Sequence, residues 1–398
     1  MPNSNKINTA IDFSNTEIAF KNKSDKALSK AHLLFRLMNN PLLVKLSSTL
    51  GVWAVKWRLP FAKYLVKQTI FSQFCGGTNL EESASTIKDL HSYSVYSMLD
   101  YGAEAKKTEE DFDNTVKENI GAIRFAADNA AVPVISTKIT GMARFELLEK
   151  VQSKEALTAE ETEEFERVRQ RIRAVSQAAL DHKVGLFIDA EETWIQDSID
   201  QLADEMMSIF NKEEVWVYNT FQMYRKDRYD FLKTSFAEAQ KGGYLLGAKL
   251  VRGAYMEKER KRAEEHGYPS PIQDSKAQTD KAFNDAIRFC VEHYEQIALC
   301  NATHNMDSCQ LLASLIEENA IAQNHKHLNF CQLYGMSDHL TFNLAERGYN
   351  VAKYLVYGKV REVLPYLVRR AQENTSITGD MSRELDLLNT EMKRRKLN

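Results

Sequence analysis

The sequence is poor in the two residues that most often interrupt regular structure. It contains 16 glycines and 7 prolines among 398 residues, below the usual shares of about 7% and about 5%. This scarcity excludes a collagen-like chain and long flexible linkers, and it argues against an all-β protein with many turns. Because 43% of the residues are hydrophobic and 27% are charged, we predict a folded chain with a large core.

Cysteines are also few, and their pattern indicates neither a disulfide framework nor a zinc cluster. The five cysteines are an odd number and include no Cys-x-x-Cys pair, so we predict free thiols in a reducing compartment and no bound metal. The sequence begins without the basic and apolar regions of a secretory signal, and no uncharged apolar run approaches the roughly 20 residues that span a bilayer. We therefore expect a cytoplasmic protein, at most peripheral on the inner face of a membrane.

Charge is almost balanced overall but uneven along the chain. The net charge of −3 gives no reason to expect nucleic acid as a partner. Residues 26–80, however, carry eight Lys or Arg and no Asp or Glu, and Trp53 and Trp57 lie four positions apart among aliphatic residues. Two interpretations remain open: a helical arm that contacts an anionic membrane surface, or a helical arm that packs on the acidic main body.

From about residue 93 the pattern changes to short β-rich runs separated by long amphipathic stretches. Capping-box signals at Thr158-x-x-Glu161 and Thr193-x-x-Gln196 mark the starts of two such stretches. Strand and helix repeated eight times indicate a parallel sheet covered by helices; an open sheet also fits, but the length favours a (β/α)8 barrel. The eight predicted strands lie at 93–99, 132–139, 184–191, 215–224, 244–255, 297–305, 328–335 and 350–358.

We therefore predict an α/β protein: a (β/α)8 TIM-type barrel with an N-terminal helical arm and a last helix displaced by Pro365. The predicted domains are a flexible N-terminus at 1–25, a basic helical arm at 26–90, the barrel at 91–380 and a C-terminal helix or tail at 381–398. In such barrels the active site lies at the carboxyl ends of the strands. Polar residues crowd the predicted strand ends more than strand termination requires.

The motifs of several common sites are absent. The sequence contains no G-x-G-x-x-G, no G-x-x-x-x-G-K-[ST] and no H-E-x-x-H, so nothing supports a Rossmann dinucleotide site, a P-loop or a zinc protease site. His304 has no second histidine at ligand spacing. We expect it to form hydrogen bonds rather than to bind a metal.

The helix predicted at 363–374 carries the strongest candidate site. Tyr366, Arg369, Arg370 and Glu373 lie at positions i, i+3, i+4 and i+7 and share one face. The pattern alone also fits a solvated face with an Arg369–Glu373 ion pair. Two adjacent guanidinium groups directly after the eighth strand, however, suit bidentate binding of a carboxylate or a phosphate.

Seven short motifs follow one another along the predicted barrel: LDYGAE (99–104), FIDAEE (187–192), FQMY (221–224), KLVRGAY (249–255), ATHN (302–305), QLYGM (332–336) and YLVRRAQEN (366–374). In sequence and order they resemble the proline dehydrogenases, flavin-dependent (β/α)8 enzymes that occur alone or within proline utilization A, and most of all the single-function, eukaryotic-like branch. The resemblance implies oxidation of L-proline to 1-pyrroline-5-carboxylate by hydride transfer to FAD, with electrons passed on to a quinone.

The resemblance also implies roles for individual residues. Three cations around one small anion would orient the substrate carboxylate, and a cation near the flavin edge would stabilise the charge that arrives on reduction. No residue is identified as the base for the substrate amine. The implied substrate residues are Lys138, Asp189, Tyr255, Leu333, Tyr354, Tyr366, Arg369, Arg370 and Glu373. The implied FAD residues are Gln222, Lys249, Val251, Gly253, Ala254, Thr303, His304 and Asn305.

One departure and three alternatives accompany this resemblance. Many bacterial members carry arginine where this chain has Lys249, and lysine keeps the charge but loses the planar fork. Hydroxyproline-preferring members tend to have a smaller residue at the position of Tyr354, so Tyr354 favours proline. A Schiff-base lyase or aldolase would instead use Lys138 or Lys249 as its nucleophile. A catalytically silent ligand-binding barrel is the third alternative.

Overall fold

Nine strands form one parallel sheet in the computed structural model, which describes residues 11–40, 57, 61–102, 106–376 and 380–397. Strands β2 to β9 close into a barrel because β9 pairs in parallel with both β2 and β8, which confirms the (β/α)8 prediction. The short strand β1 also pairs with β9. The strands are β1 Cys75–Gly77, β2 Tyr96–Tyr101, β3 Val134–Thr137, β4 Gly185–Ile188, β5 Val217–Gln222, β6 Leu246–Val251, β7 Ile297–Ala302, β8 Leu328–Leu333 and β9 Val351–Tyr357.

Helices connect the successive barrel strands and cover the barrel, as parallel pairing requires. Within the described ranges, no helix is long and apolar enough to cross a membrane. A π-helix at Lys67–Phe71 and a 3-10 helix at Ile139–Gly141 supplement the α-helices. The α-helices are α1 Thr16–Ala19, α2 Asp25–Met38, α3 Ala62–Val66, α4 Ser72–Phe74, α5 Leu80–His91, α6 Glu109–Ala127, α7 Phe145–Gln152, α8 Ala159–His182, α9 Thr193–Phe210, α10 Arg228–Gly242, α11 Met256–His266, α12 Lys276–Glu292, α13 Met306–Glu318, α14 Asp338–Glu346, α15 Leu364–Ser376 and α16 Asp380–Arg394.

The two predicted capping boxes have different outcomes. At Thr158 the side chain accepts a hydrogen bond from the Glu161 N–H and the Glu161 carboxylate accepts one from the Thr158 N–H, so this box is confirmed. At Thr193 the prediction is wrong, because Thr193 is already helical and both its N–H and its hydroxyl donate to the carboxylate of Glu259, at 2.8 and 2.6 Å. The Glu259 carboxylate of α11 thus accepts a hydrogen bond from the Thr193 N–H, which has no partner within the first turn of α9.

The N-terminal segment packs on the rest of the molecule. Residues 1–25 were expected to be flexible, whereas Phe13 and Phe20 are 4% and 1% exposed. Helix α2 buries Phe35 in a cluster that also contains Leu388 of α16. The chain ends therefore stabilise each other through apolar burial. Trp53 lies outside the described residues, and the domain boundaries at 90 and 380 stay predictions.

The last barrel helix, α15, lies at the mouth of the barrel. Its Tyr366 and Leu367 belong to the same buried cluster as Tyr354, whose side chain comes from strand β9. Helix α15 also contacts α2 and α16. Pro365 is the second residue of α15, where its missing N–H would have no partner within the helix. Helix α15 is thus packed into this cluster, and its displacement by Pro365 stays a prediction.

Gly335, in the loop after β8, leaves no room for a side chain. Its φ is 81°, and an added Cβ would lie 2.0 Å from the carbonyl oxygen of Gln73. The side chain of Gln73 donates a hydrogen bond to the Gly335 carbonyl at 2.8 Å. The segment before β1 is therefore held directly against this loop.

We expect Gly335→Ala to lower the free energy of unfolding by about 2 kcal/mol or more, because the left-handed φ and the backbone contact both penalise a Cβ. The matched control is Gly121→Ala in the middle of α6, where an added Cβ meets nothing within 4 Å. That variant should raise the free energy of unfolding by about 0.5–1 kcal/mol. Denaturant unfolding measures both values, and equal stability of the two variants would contradict this account of Gly335.

Candidate active site

A buried carboxylate lies at the centre of the barrel mouth. Asp189 directly follows β4 and is 8% exposed. Its Oδ1 accepts hydrogen bonds from Lys249 Nζ at 2.5 Å and from the Ser136 hydroxyl at 2.7 Å, and its Oδ2 accepts one from the Tyr354 hydroxyl at 2.8 Å. Lys138 Nζ lies 3.4 Å from Oδ2. The structure therefore brings four predicted site residues into one hydrogen-bonded cluster: Lys249 and Tyr354 from within β6 and β9, and Lys138 and Asp189 from just after β3 and β4.

Aromatic rings enclose the ammonium group of Lys249. Its Nζ lies 5.2 Å from the ring centroid of Phe187 and 4.9 Å from that of Tyr354. Leu333, at the end of β8, packs against the buried cluster that contains both rings. Cation–π attraction and the ion pair with Asp189 together compensate for removing this charge from water.

Charge and burial fix the protonation of this cluster at neutral pH. Burial alone would raise the pKa of Asp189, but the ammonium groups of Lys249 and Lys138 outweigh it and hold that pKa well below its usual range. Burial, followed by the negative charges of Asp100 and Asp189, raises the pKa of Tyr354 well above its usual value. Asp189 is therefore a carboxylate, and Tyr354 is a neutral hydroxyl that donates to it.

Helix α15 brings further cations to the mouth. Tyr366 packs in the same buried cluster as Tyr354. The guanidinium carbon of Arg370 lies 5.5 Å from the Tyr366 ring centroid, and Arg370 is 7% exposed while Arg369 is half-buried. The predicted face of α15 is therefore buried at Tyr366 and Arg370 and half-buried at Arg369. The side chain of Glu373 lies outside the described residues.

The loop after β6 brings its backbone close to the mouth. Gly253 has a φ of 131°, and an added Cβ would lie 2.4 Å from the ring of Tyr224. Val251 and Tyr255 are half-buried and Ala254 is exposed. A glycine at this point leaves backbone groups accessible to a ligand that a side chain would cover.

Hydrogen bonds fix the loop after β7. The Thr303 hydroxyl accepts hydrogen bonds from Arg252 at 2.6 Å and from the Asn305 N–H at 3.1 Å. The side chain of Asn305 caps α13 by accepting a hydrogen bond from the Ser308 N–H at 2.9 Å. Arg252, which is also paired with Asp280, therefore holds the β7 loop from the neighbouring strand.

His304 is neutral and bonded to the loop after β8. Its Nδ1 lies 2.9 Å from the Ser337 hydroxyl. Burial, and then the cations of Lys353 and Arg370, lowers the pKa of His304 to about 3. In the described part of the chain, no group of three or more His, Cys, Asp or Glu is arranged to hold a metal ion. The ring acts in hydrogen bonding at neutral pH.

Gln222 presents an unsatisfied acceptor at the mouth. Its Nε2 donates to the Glu191 carbonyl at 3.1 Å, whereas its Oε1 is buried and has no hydrogen-bond partner among the described residues. A buried acceptor without a donor costs free energy unless a ligand supplies the donor. The imide N–H of an isoalloxazine ring is such a donor, so this position fits a flavin.

Glu191 is a second buried carboxyl group beside the site. It accepts hydrogen bonds from the Thr140 N–H at 3.0 Å and from the Thr140 hydroxyl at 2.5 Å. Burial raises the pKa of Glu191 to about 7, although these two hydrogen bonds and the charge of Lys138 oppose the shift. This carboxyl therefore titrates near neutral pH, next to the loop that carries Lys138.

Several contributing residues were not among the predicted site residues. Ser136 lies two positions before Lys138, and alternation along a strand would have placed both on the same side of β3. Arg252 and Glu191 stand among the polar residues at the predicted strand ends, which was a usable signal. Ser337 and Lys353 carry no sequence pattern that separates them from ordinary polar residues. Their contribution follows only from three-dimensional contacts.

Comparison with known proteins assigns the family. The model of the family described as "Proline dehydrogenase" matches residues 83–383, well over half of the chain. The chain belongs to the proline dehydrogenase family. The matched segment contains every residue of the Asp189 cluster, the loops after β6 and β7, and the whole of α15.

Curated members of the family match over most of this chain. Proline dehydrogenase 2, mitochondrial, of Arabidopsis thaliana is 32% identical over 83% of this chain and 79% of its own length. Proline dehydrogenase 1, mitochondrial, of Caenorhabditis elegans is 32% identical over 82% of this chain but only 54% of its own length. Hydroxyproline dehydrogenase of Xenopus laevis is 30% identical over 98% of this chain and 91% of its own length.

Solved structures of proline utilization A proteins share the fold. The proline utilization A protein of Bdellovibrio bacteriovorus, inactivated by N-propargylglycine, superposes with a TM-score of 0.71 at 21% identity. The match covers 80% of this chain and 35% of that one, so this chain spans about a third of that protein's length. At this identity the similarity establishes the barrel fold alone.

The raised pKa of Glu191 gives a pH dependence of stability. Because the pKa of Glu191 is about 7 in the folded state, its contribution to the free energy of unfolding is fully present below the ordinary pKa of 4.5. That contribution is lost as the pH rises to about 7. We expect the free energy of unfolding to fall by roughly 2–3 kcal/mol over this range because of Glu191 alone. Glu191→Gln should remove that part of the slope.

Denaturant unfolding at pH 5 and pH 7.5 measures this difference. Glu146→Gln, on the exposed surface of α7, is the matched control and should keep the wild-type slope. An unchanged slope in Glu191→Gln would show that Glu191 does not titrate in this window.

Proposed function

We propose that the protein oxidises L-proline to 1-pyrroline-5-carboxylate with FAD as the bound electron acceptor. The observation that carries this proposal is the pairing of cations with one buried carboxylate: Lys138 and Lys249 hold Asp189, and α15 adds Arg370 beside Tyr366. Cations gathered in this way suit a small anionic substrate. Membership in the proline dehydrogenase family supports proline as that substrate.

The residues of one half of the mouth suit the substrate. We assign binding of the substrate carboxylate to Lys138, Arg369 and Arg370. Glu373, on the same helix as the two arginines, belongs to the same proposed substrate site. The pyrrolidine ring would pack against Tyr354, Tyr366, Leu333 and Tyr255. Asp189 is a positioning residue in this account, because it holds Lys138, Lys249 and the Tyr354 hydroxyl in fixed places. Fixed orientation of the reacting carbon is what hydride transfer requires.

The residues of the other half of the mouth suit FAD. We propose that Lys249 and the unsatisfied Oε1 of Gln222 contact the flavin ring. The loops after β6 and β7 would bind the remainder of the cofactor. Lys249 would place a positive charge beside the ring, where it stabilises the negative charge of reduction. The proposed cofactor residues here are Val251, the last residue of β6, and Gly253, Ala254, Thr303, His304 and Asn305 of the two loops.

The overall reaction removes two electrons and two protons from proline. A hydride, which is one proton with the electron pair, leaves the δ-carbon of the ring. The nitrogen loses the second proton as the C=N bond forms between it and that carbon. FAD supplies the two-electron acceptor when it is bound. The chain's own residues bind the carboxylate, orient the ring and exclude water from the reacting face.

Two alternatives are weaker. Hydroxyproline needs space for a ring hydroxyl, whereas Tyr354 is 7% exposed and is fixed by its hydrogen bond to Asp189. A Schiff-base mechanism needs a lysine amine that can attack a carbonyl group, whereas Lys138 and Lys249 both pair with the Asp189 carboxylate, at 3.4 and 2.5 Å. Proline oxidation requires neither a larger pocket nor a neutral lysine.

Anaerobic mixing with proline tests the proposal directly. The yellow, FAD-loaded protein should lose its flavin absorbance, and proline should do this with a higher kcat/KM than hydroxyproline. Arg370→Met should lower kcat/KM for proline by roughly 100-fold or more, because a buried cation to the substrate carboxylate is lost.

Arg173→Met, on the exposed surface of α8, is the control and should retain wild-type turnover. Protein that binds FAD but is not bleached by proline would overturn the proposal. A higher kcat/KM for hydroxyproline would instead reassign the substrate.

We also propose that the segment 26–80 contacts a membrane and that a quinone dissolved there accepts the electrons. Around helix α3, four residues are 60–78% exposed: Trp57, Phe61, Tyr64 and Leu65. The buried side of α3 packs through Ala62 against Leu364 of α15, so this exposed aromatic patch flanks the proposed active site. Aromatic residues among lysines favour an anionic lipid interface.

The proposed cellular location is the cytoplasm, with peripheral attachment to the membrane. All five cysteines are buried free thiols, which supports a reducing compartment. Several relatives carry the word mitochondrial in their names, and that location belongs to those proteins.

Vesicle co-sedimentation tests the exposed aromatic patch. The wild-type protein should bind phosphatidylglycerol vesicles more tightly than phosphatidylcholine vesicles, and less tightly at high salt. The double variant Phe61→Ser/Leu65→Ser should lose roughly tenfold or more in vesicle affinity, since it removes two apolar side chains from the interface.

The control is Met256→Ser/Tyr268→Ser, which removes two exposed apolar side chains, 40% and 38% exposed, elsewhere on the barrel. Equal binding by the two double variants would exclude the patch as the membrane contact.

A further inference from the structure

A buried group of three charges joins the N-terminal segment to the loop after β8. Lys353 Nζ lies 2.8 Å from Asp338 Oδ1, and Lys23 Nζ lies 2.9 Å from Asp338 Oδ2. The side chains of Lys353, Asp338 and Lys23 are 1%, 6% and 18% exposed. Two cations thus share the two oxygens of one carboxylate, and we call these residues the Lys23 triad.

The Lys23 triad fixes the backbone of the turn at 333–337. Lys353 also donates hydrogen bonds to the carbonyl of Met336 at 2.5 Å and to that of Leu333 at 3.5 Å. Asp338 is the first residue of α14, and Ser337 before it has a left-handed φ of 51°. A non-glycine residue keeps such a conformation only where its surroundings impose it. The ion pairs and hydrogen bonds of Lys353 provide that constraint.

The same turn carries two groups of the proposed active site. Leu333 is a proposed wall for the substrate ring, and the Ser337 hydroxyl lies 2.9 Å from Nδ1 of His304, a proposed FAD residue. Lys353 directly precedes Tyr354 in β9. A shift of this turn would therefore move the substrate side and the cofactor side of the mouth together.

Lys23 couples this turn to a distant part of the chain. It lies between α1 and α2, and its carbonyl accepts a hydrogen bond from Arg395, at the end of the chain, at 2.7 Å. Burial by itself would lower the pKa of Lys23, but the charge of Asp338 outweighs burial and raises that pKa. The N-terminal segment therefore delivers a charged lysine to Asp338, and the C-terminal helix holds the segment in place.

We propose that Lys23, Asp338 and Lys353 are positioning residues, which fix the turn at 333–337 so that the N-terminal segment is a required part of the substrate and flavin site. The inference rests on the proposed function. Without Lys23, one oxygen of the buried Asp338 carboxylate loses its partner and the carboxylate reorients, which loosens its hold on Lys353 and on the start of α14.

Replacing Lys23 tests this inference with a matched control two residues away. Lys21 pairs with Glu346 at the other end of α14, at 2.5 Å, but on the surface, with the two side chains 27% and 51% exposed. We expect Lys23→Met to raise the dissociation constant for FAD and the KM for proline about tenfold each, while kcat changes less than about threefold. Lys21→Met should stay within about twofold of wild type in all three values.

Conservative replacement separates positioning from folding. Lys23→Arg keeps the charge and should restore most of the FAD affinity and KM. FAD affinity is measured by fluorescence titration of the apoprotein, and thermal unfolding of the apoprotein is recorded beside it. Lys23→Gln, which keeps a donor without charge, replaces the Met variant if that variant does not fold, and should fall between Met and Arg.

Two outcomes would overturn different statements. If the Lys23 variants are less stable but bind FAD and proline like Lys21→Met, the triad only stabilises the fold and the inference fails. If the wild-type protein binds FAD but does not oxidise proline, the proposed function fails. In that case the ratio of FAD dissociation constants between Lys23→Met and Lys21→Met still decides the inference.

Discussion

The negative charge of Asp189 is the constraint around which the barrel mouth is organised. A carboxylate that is 8% exposed is stable only with close partners, and its partners come from β3, β6 and β9 and from the turn after β3. These strands meet only when the barrel is closed, so the fold creates the charge cluster and the cluster stabilises the closed fold. Two cations, Lys138 and Lys249, thus share this one carboxylate at the mouth.

Much of the fold was predictable because its signals are local. The barrel strands are largely apolar runs and the long helices are amphipathic, and the repeated order of the two admits few topologies. Where the prediction was wrong, a distant residue had replaced a local one: Glu259 of α11 binds the start of α9 in place of a capping box at Thr193. The packing of Phe13 and Phe20 was also missed, because short apolar segments show no periodicity before they meet a partner surface.

The candidate site was predictable only where a residue stood at a strand end or within a recognised motif. Asp189, Lys249 and Tyr354 met that condition, and the structure joins them through hydrogen bonds. Lys23 and Lys353 did not, since they are 330 positions apart in numbering and are brought together only by Asp338. Burial of a lysine cannot be inferred from sequence, because its long side chain is normally exposed. Contacts of this kind depend on the final packing of the chain ends.

The pairing of β2 with β9 has a consequence for synthesis of the chain. Tyr96 pairs with Ala352, so the first barrel strand emerges from the ribosome long before its neighbour exists. At about 5–20 residues per second, the edge of β2 stays open for on the order of 10–50 s. An unpaired parallel edge of apolar residues is an aggregation hazard during that time. Chaperone occupancy of the nascent chain should therefore persist until β9 is released, and a chain that stops before β9 cannot close the barrel.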